Sequence, residues 1–116
     1  MENLKIKVIG YADKETSDLY LYLYYMDKNE DIVATIAVND QGDLVGNIFN
    51  PEYNELIVSD INKLTGYNFG IEEDYYITGN ENVWNNTKKI ISDKNLEITY
   101  KTELDLEYEE SNRKIK

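Results

Sequence analysis

The sequence predicts a single α+β domain: a mostly antiparallel sheet of five to six strands with two helices, in the order ββββαβαβ. Four runs of alternating or continuous apolar residues come first and are separated by polar turns. Two later segments carry apolar residues at helical spacing, and the C-terminal part returns to alternation. The chain has 116 residues and no Pro- or Gly-rich linker, so we expect one domain, 1–116.

The first four strands are predicted from apolar patterns and turn residues. Within residues 4–8, apolar residues alternate with lysines, which indicates one buried face and one face exposed to water. Over 19–25 leucines alternate with tyrosines, so both faces can bury carbon and the strand is expected to be central. The β-branched run 32–38 also fits a strand covered on both sides. Residues 39–43 then predict a hairpin turn into a strand over 44–49.

The first helix is predicted from its start and stop signals. Asn50 is a suitable N-cap, Pro51 suits the first turn, and Glu52 complements the positive end of the helix. The helix is expected to run to about Leu64. Gly66 is placed to close it in a left-handed cap.

The remaining elements are a strand, a helix and a strand. A strand is predicted over 68–71, resuming over 75–78. Asn80 is expected to cap the second helix. A regularly alternating last strand is predicted over 96–108, and the tail 110–116 is expected to fray.

Composition excludes several classes of function. The formal net charge of −11 should repel nucleic-acid backbones and anionic membranes, so we expect no direct binding to either. Without cysteine there is no disulfide framework or thiolate metal site. The chain contains neither a secretory signal nor an apolar run of membrane-spanning length, so we expect a cytoplasmic protein in a bacterial host cell.

Catalysis is not expected. Histidine is absent as well as cysteine, which removes the usual proton-transfer residue and the nucleophiles that depend on it. Asp27, Asn29 and Asp31 match the start of a calcium loop, but Ile32 and Val38 occupy its glycine and glutamate positions. The sequence therefore predicts a non-enzymatic protein that binds no metal and no cofactor.

Acidic and tyrosine residues are the candidate binding groups. Between Asn29 and Thr87 there are eleven acids and a single base, Lys63. Acids at alternate positions of the last strand would stand about 6.6 Å apart, similar to the distance between successive phosphates of a nucleic-acid strand, and would repel one another. A solubilising shell is the alternative explanation. The predicted partner-binding residues are Glu72, Glu73, Asp74, Tyr75, Tyr76, Glu103, Asp105, Glu107 and Glu109.

Two short segments resemble acidic phage inhibitors. Residues 98–104, with the sequence ITYKTEL, resemble the ITLKSEL segment of small anti-CRISPR proteins that inhibit type II-A Cas nucleases by mimicking DNA. Ser59, Asp60, Ile61, Lys63, Thr65 and Gly66, followed by Ile71 and Glu72, are similar to the helix, turn and acidic strand of the phage uracil-DNA glycosylase inhibitor. The resemblance implies an inhibitor that blocks a nucleic-acid enzyme without catalysis.

The leading hypothesis is a phage or mobile-element inhibitor, an anti-CRISPR that blocks the nucleic-acid channel of a Cas effector by acidic mimicry. The alternative is an immunity protein that neutralises a basic nuclease toxin. A nucleotide-binding sponge is disfavoured because Arg and Lys are scarce. A structural subunit of an assembly stays open, as does the choice between monomer and homodimer. Tyr20, Tyr22 and Tyr24 could be buried within the domain or across a dimer.

Overall fold

The computed structural model describes residues 4–13 and 15–102. Within them, six strands and two helices form an α+β domain with a mostly antiparallel sheet, which confirms the predicted class and element order. A 3-10 turn, Pro51–Tyr53, precedes the first helix. The elements are β1 (Lys5–Ala12), β2 (Leu19–Met26), β3 (Ile32–Asn39), β4 (Leu44–Ile48), α1 (Asn54–Thr65), β5 (Tyr75–Ile77), α2 (Val83–Asp93) and β6 (Ile98–Thr102).

The sheet has the strand order β5-β4-β3-β2-β1-β6. Strands β1 to β4 form an antiparallel meander, β5 pairs antiparallel with β4, and β6 lies parallel to β1. Strands β2 and β3 are interior, as their two apolar faces predicted. The parallel edge was not predicted: it arises because α2 connects β5 at one edge to β6 at the other.

One face of the sheet forms the core with both helices. Leu23 and Ile36 are cross-strand partners on this face and are fully buried, as are Ile61 of α1 and Val83 of α2. Gly46 allows α1 to approach closely, since a Cβ there would lie 2.8 Å from Cδ1 of Ile61. The core thus fixes α1 across β4.

The predicted signals at both ends of the first helix are confirmed. The Asn50 side chain accepts a hydrogen bond from the Glu52 N–H at 3.1 Å. At the other end Gly66 has φ 75 and donates its N–H to the Asn62 carbonyl at 2.8 Å. The first turn is a 3-10 turn, so α1 itself begins at Asn54.

The predicted strand over 68–71 is wrong. Residues 67–70 have no regular structure and 71–73 form a turn, so only β5 of this region is a strand. The reason is a side chain of α1. The Asn62 amide donates to the Phe69 carbonyl at 3.1 Å and accepts from the Phe69 N–H at 2.8 Å, which occupies the backbone groups that a strand would use.

The second helix begins later than predicted. Asn82, not Asn80, precedes its first residue, and the Asn82 side chain makes no capping hydrogen bond. Asn80 instead forms a turn ahead of the helix: its side chain accepts from the Asn82 N–H at 3.0 Å, and its carbonyl accepts from the Val83 N–H at 3.2 Å. Its amide also donates to the Thr65 carbonyl at 2.9 Å, which ties this turn to α1.

Strands β1 and β6 differ from prediction, β1 in burial and β6 in where it begins. In β1 the consecutive residues Val8, Ile9 and Gly10 are all buried, so its second face is not wet in the middle. Of the predicted last strand, β6 is observed. Residues 103–108 and the tail 110–116 lie outside the described residues.

Candidate partner-binding surfaces

The carboxylates of the described residues lie outside the sheet. Strands β1 to β6 contain no Asp or Glu, whereas the turns and helices carry many. A strand that packs on a core has little room for carboxylates, because one face buries them and the other brings like charges into opposition. Acidic turns consequently occur at both ends of the sheet.

At one end of the sheet the acids stabilise turns. The Asp40 side chain accepts from the Leu19 N–H at 3.3 Å and so joins the β3–β4 turn to the start of β2. Asp43 accepts from the Gly79 N–H at 3.1 Å and from the Asn39 side-chain amide at 3.0 Å. These carboxylates satisfy donors in the loops, so the local fold alone explains their positions.

The predicted acidic segment 72–74 lies toward the other end. Tyr75 pairs with Gly46 in the middle of β4, and the segment precedes that pair. All three acids are exposed. The Glu73 carboxylate folds back to accept from the Gly70 N–H, which closes the turn.

A groove of about 490 Å³ lies between α1 and the segment after it, and we call it the α1 groove. Asn62 holds its two walls together through both hydrogen bonds to Phe69. Ile71 lines the groove and is 49% exposed, although it is a large apolar residue. The lining residues are Glu55, Val58, Ser59, Asn62, Lys63, Phe69, Gly70 and Ile71.

One lining residue of the α1 groove is a carboxylate, and four more exposed carboxylates lie close to lining residues in the sequence. Glu55 lines the groove from α1, and Glu52 lies three residues before it. Residues 72–74 directly follow the lining residue Ile71. We call this set the acidic rim: Glu52, Glu55, Glu72, Glu73 and Asp74.

The two predicted tyrosines separate onto different faces of the sheet. Tyr75 is only 8% exposed, stacks edge-on against Phe69 and donates its hydroxyl to the Gly70 carbonyl at 2.9 Å. Tyr76 is 61% exposed and lies on the face away from the core. Tyr75 therefore supports the wall of the α1 groove from inside, while Tyr76 is available to a partner on the other face.

The second predicted group of acids belongs to the C-terminal part of the chain. Its members follow β6 in the chain and fall outside the described residues. Their role in binding stays a prediction, as does that of 72–74. These residues are Glu103, Asp105, Glu107 and Glu109.

The face of the sheet away from the core carries a row of stacked tyrosines. The ring centroids of Tyr11 and Tyr20 are 5.0 Å apart, and those of Tyr11 and Tyr22 are 5.5 Å apart with ring planes only 9° from parallel. Tyr24 continues the row beyond Tyr22 at 6.4 Å. Because the rings cover one another, the row does not offer the open ring faces on which nucleobases stack. We call Tyr11, Tyr20, Tyr22 and Tyr24 the tyrosine row.

The tyrosine row is partly withdrawn from water. The Tyr22 hydroxyl donates to that of Tyr11 at 3.2 Å. Burial and this hydrogen bond raise the pKa of Tyr22 above its ordinary value. The alternation over 19–25 predicted the β2 tyrosines, but Tyr11 joins them only through the β1–β2 register, which places it opposite Tyr20.

Residues 4–13 and 15–102 lack three other features that would mark a site. Within them, no three His, Cys, Asp or Glu side chains are grouped so that they could hold a metal ion. No helix in this part of the chain is long and apolar enough to cross a membrane. Every buried side-chain nitrogen or oxygen described has a hydrogen-bond partner. The α1 groove with its acidic rim combines a concave shape, an exposed apolar side chain and acidic charge.

Comparison of the chain with protein-family models, with curated proteins and with solved structures gave no significant match. The short resemblances to phage inhibitors therefore stay predictions from sequence. The fold and the surfaces described above are the basis for any proposal about function.

Proposed function

We propose that this chain is a non-enzymatic inhibitor that binds a basic nucleic-acid-binding protein in the bacterial cytoplasm. The observation that carries the proposal is the acidic rim: Glu55 lines the groove, and four further exposed carboxylates lie near lining residues in the sequence. Lys63 is the only base among the groove-lining residues. Lysine and arginine side chains that normally hold phosphates would accept these carboxylates in place of nucleic acid.

The proposed partner is a Cas effector, and the proposed source is a phage or mobile element. This part of the proposal draws on the short resemblance of residues 98–104 to anti-CRISPR proteins. With a net charge of −11, association with a cationic channel would be electrostatically steered and would weaken as salt rises. An immunity protein for a basic nuclease toxin would use the same chemistry, with a different partner.

A charge-reversal experiment tests the proposal. The variant Glu72→Lys/Asp74→Lys reverses two carboxylates of the acidic rim and leaves Glu73, which closes the turn, in place. The control Glu15→Lys/Glu81→Lys has the same net charge but changes acids near the opposite end of the sheet. DNA cleavage by a type II-A Cas effector with its guide RNA is measured with each protein, added before or after the DNA.

The wild-type protein is expected to inhibit when added before the DNA and to lose potency between about 50 and 200 mM salt. The rim variant should lose inhibition and the control should retain it. If both variants inhibit as wild type does, the acidic rim is not the binding surface. If the wild-type protein inhibits no effector but protects cells from a toxin encoded immediately upstream, the immunity function replaces the inhibitor function.

A further inference from the structure

The exposed lining of the α1 groove is mostly apolar, which mimicry of a polyphosphate does not require. Phe69 is half-buried, and Ile71 is 49% exposed beside the acidic turn. Carboxylates alone would satisfy a phosphate-binding channel, and an exposed isoleucine adds nothing to that contact. Carboxylates next to an exposed apolar side chain fit a protein segment that has both positively charged and apolar side chains.

The groove is held in shape before any partner binds. Both hydrogen bonds of the Asn62 amide fix Phe69 to α1, and the Tyr75 hydroxyl fixes the Gly70 carbonyl at 2.9 Å. Glu73 closes the turn that follows. A wall that is already ordered loses little conformational entropy on binding, so an apolar contact there contributes more of its free energy to affinity.

We propose that the α1 groove receives one large apolar side chain from a Lys- and Arg-rich segment of the partner protein, while the acidic rim binds the flanking positive charges. The inference rests on the proposed function and names the chemistry of the segment that is bound. A volume of about 490 Å³ accommodates a leucine- or phenylalanine-sized side chain with adjoining backbone. Charge complementarity selects a basic segment, since anionic ligands would meet the acidic rim.

A pair of synthetic peptides tests the inference. One alternates lysine and arginine around a central leucine, and the other carries glycine at that position. Fully burying a leucine side chain gives about 1.5–3 kcal/mol, and an open groove covers only part of it, so we expect the leucine peptide to bind roughly 3- to 10-fold more tightly by fluorescence anisotropy. Both affinities should fall in parallel as salt is raised, because the charges of the two peptides are equal.

Two variants that alter the groove in opposite ways provide the structural test. Ile71→Ser removes apolar surface from the lining of the α1 groove, and Ser59→Tyr fills the groove from α1. Each should abolish the preference for the leucine peptide while leaving binding of the glycine peptide unchanged. The control Val45→Ser removes a 39% exposed apolar side chain from the opposite face of the sheet and should preserve the preference.

The outcomes separate this inference from the proposed function. If both peptides bind equally and Glu72→Lys/Asp74→Lys weakens both, the acidic rim acts without the groove and the inference is overturned. If the preference survives Ile71→Ser and Ser59→Tyr, the leucine binds elsewhere and the inference is again overturned. If neither peptide binds at low salt, the acidic binding surface fails together with the groove.

Discussion

The buried hydrogen bond between Tyr25 and Asp60 should be a major contributor to stability. The Tyr25 hydroxyl of β2 donates to Oδ2 of Asp60 in α1 at 2.8 Å. Tyr25 is 1% exposed and Asp60 8% exposed, so water cannot readily replace either partner. Burial and the Asp60 carboxylate raise the pKa of Tyr25, as expected for a phenol that must stay neutral to donate. The pair joins the sheet to its covering helix.

The substitution Tyr25→Phe removes the donor and leaves the ring. Hydrogen bonds to charged groups contribute about 1.5–3 kcal/mol, and an acceptor left buried without a partner adds its own desolvation cost. We therefore expect the free energy of unfolding to fall by about 2–3 kcal/mol. Asp60→Asn keeps an acceptor for the hydroxyl, so it should cost less, about 1 kcal/mol.

Urea unfolding followed by circular dichroism measures both changes. With a slope of about 1.5 kcal/mol per molar urea, the midpoint of Tyr25→Phe should fall by more than about 1 M. Tyr76→Phe is the matched control, since it removes the same hydroxyl from a 61% exposed side chain. If Tyr25→Phe lies within about 0.5 kcal/mol of the wild type, the pair does not hold α1 to the sheet and the reasoning is refuted.

Three further predictions follow from named contacts. Tyr25 and Tyr22 have pKa values raised above the ordinary 10.0, so the unfolded chain loses these protons first. The contribution of the buried Tyr25 is complete below pH 10 and declines above it by about 1.4 kcal/mol per pH unit, whereas that of the half-buried Tyr22 declines less because solvent screens it; urea midpoints at pH 9 and pH 11 should differ less in Tyr25→Phe. Gly42→Ala should cost about 2 kcal/mol by thermal unfolding, because φ is +87 and a Cβ would lie 2.3 Å from the Asn80 carbonyl oxygen. Asn62→Ala should cost about 1–2 kcal/mol and speed amide hydrogen exchange over residues 67–71.

Much of the sheet could be predicted from sequence because local residue patterns indicate its strands. Over 19–24 leucine alternates with tyrosine, and the polar residues 39–43 specify a tight turn. The start of the 3-10 turn that leads into α1 and the end of α1 were equally local, set by Asn50 and Gly66. Such features depend on the conformations of a few neighbouring residues, which composition and spacing record directly.

The α1 groove could not be predicted from the sequence, because it depends on hydrogen bonds between the Asn62 side chain and the backbone of a residue seven positions later. Phe69 and Ile71 suggested a strand by composition, and nothing near them indicates that Asn62 takes both backbone groups of Phe69. The separation of Tyr75 from Tyr76 follows from the alternation of a strand, but deciding which ring enters the core requires the pairing of Tyr75 with Gly46. Register and tertiary hydrogen bonds therefore determine the site.

The distribution of carboxylates limits which surfaces of the protein could imitate the phosphates of a nucleic acid. Strands β1 to β6 carry no acids, so the described negative charge is presented by turns at both ends of the sheet and by the helices that cover one of its faces. Both Asp43 and, in the acidic rim, Glu73 accept hydrogen bonds from loop N–H groups. The acidic rim differs in that one of its members, Glu55, lines an open groove. The variant Glu103→Lys/Asp105→Lys/Glu107→Lys tests the other predicted row independently. If it alone abolishes inhibition, the spacing of those acids is what the partner recognises; if Glu72→Lys/Asp74→Lys alone does so, a local groove and its rim are sufficient.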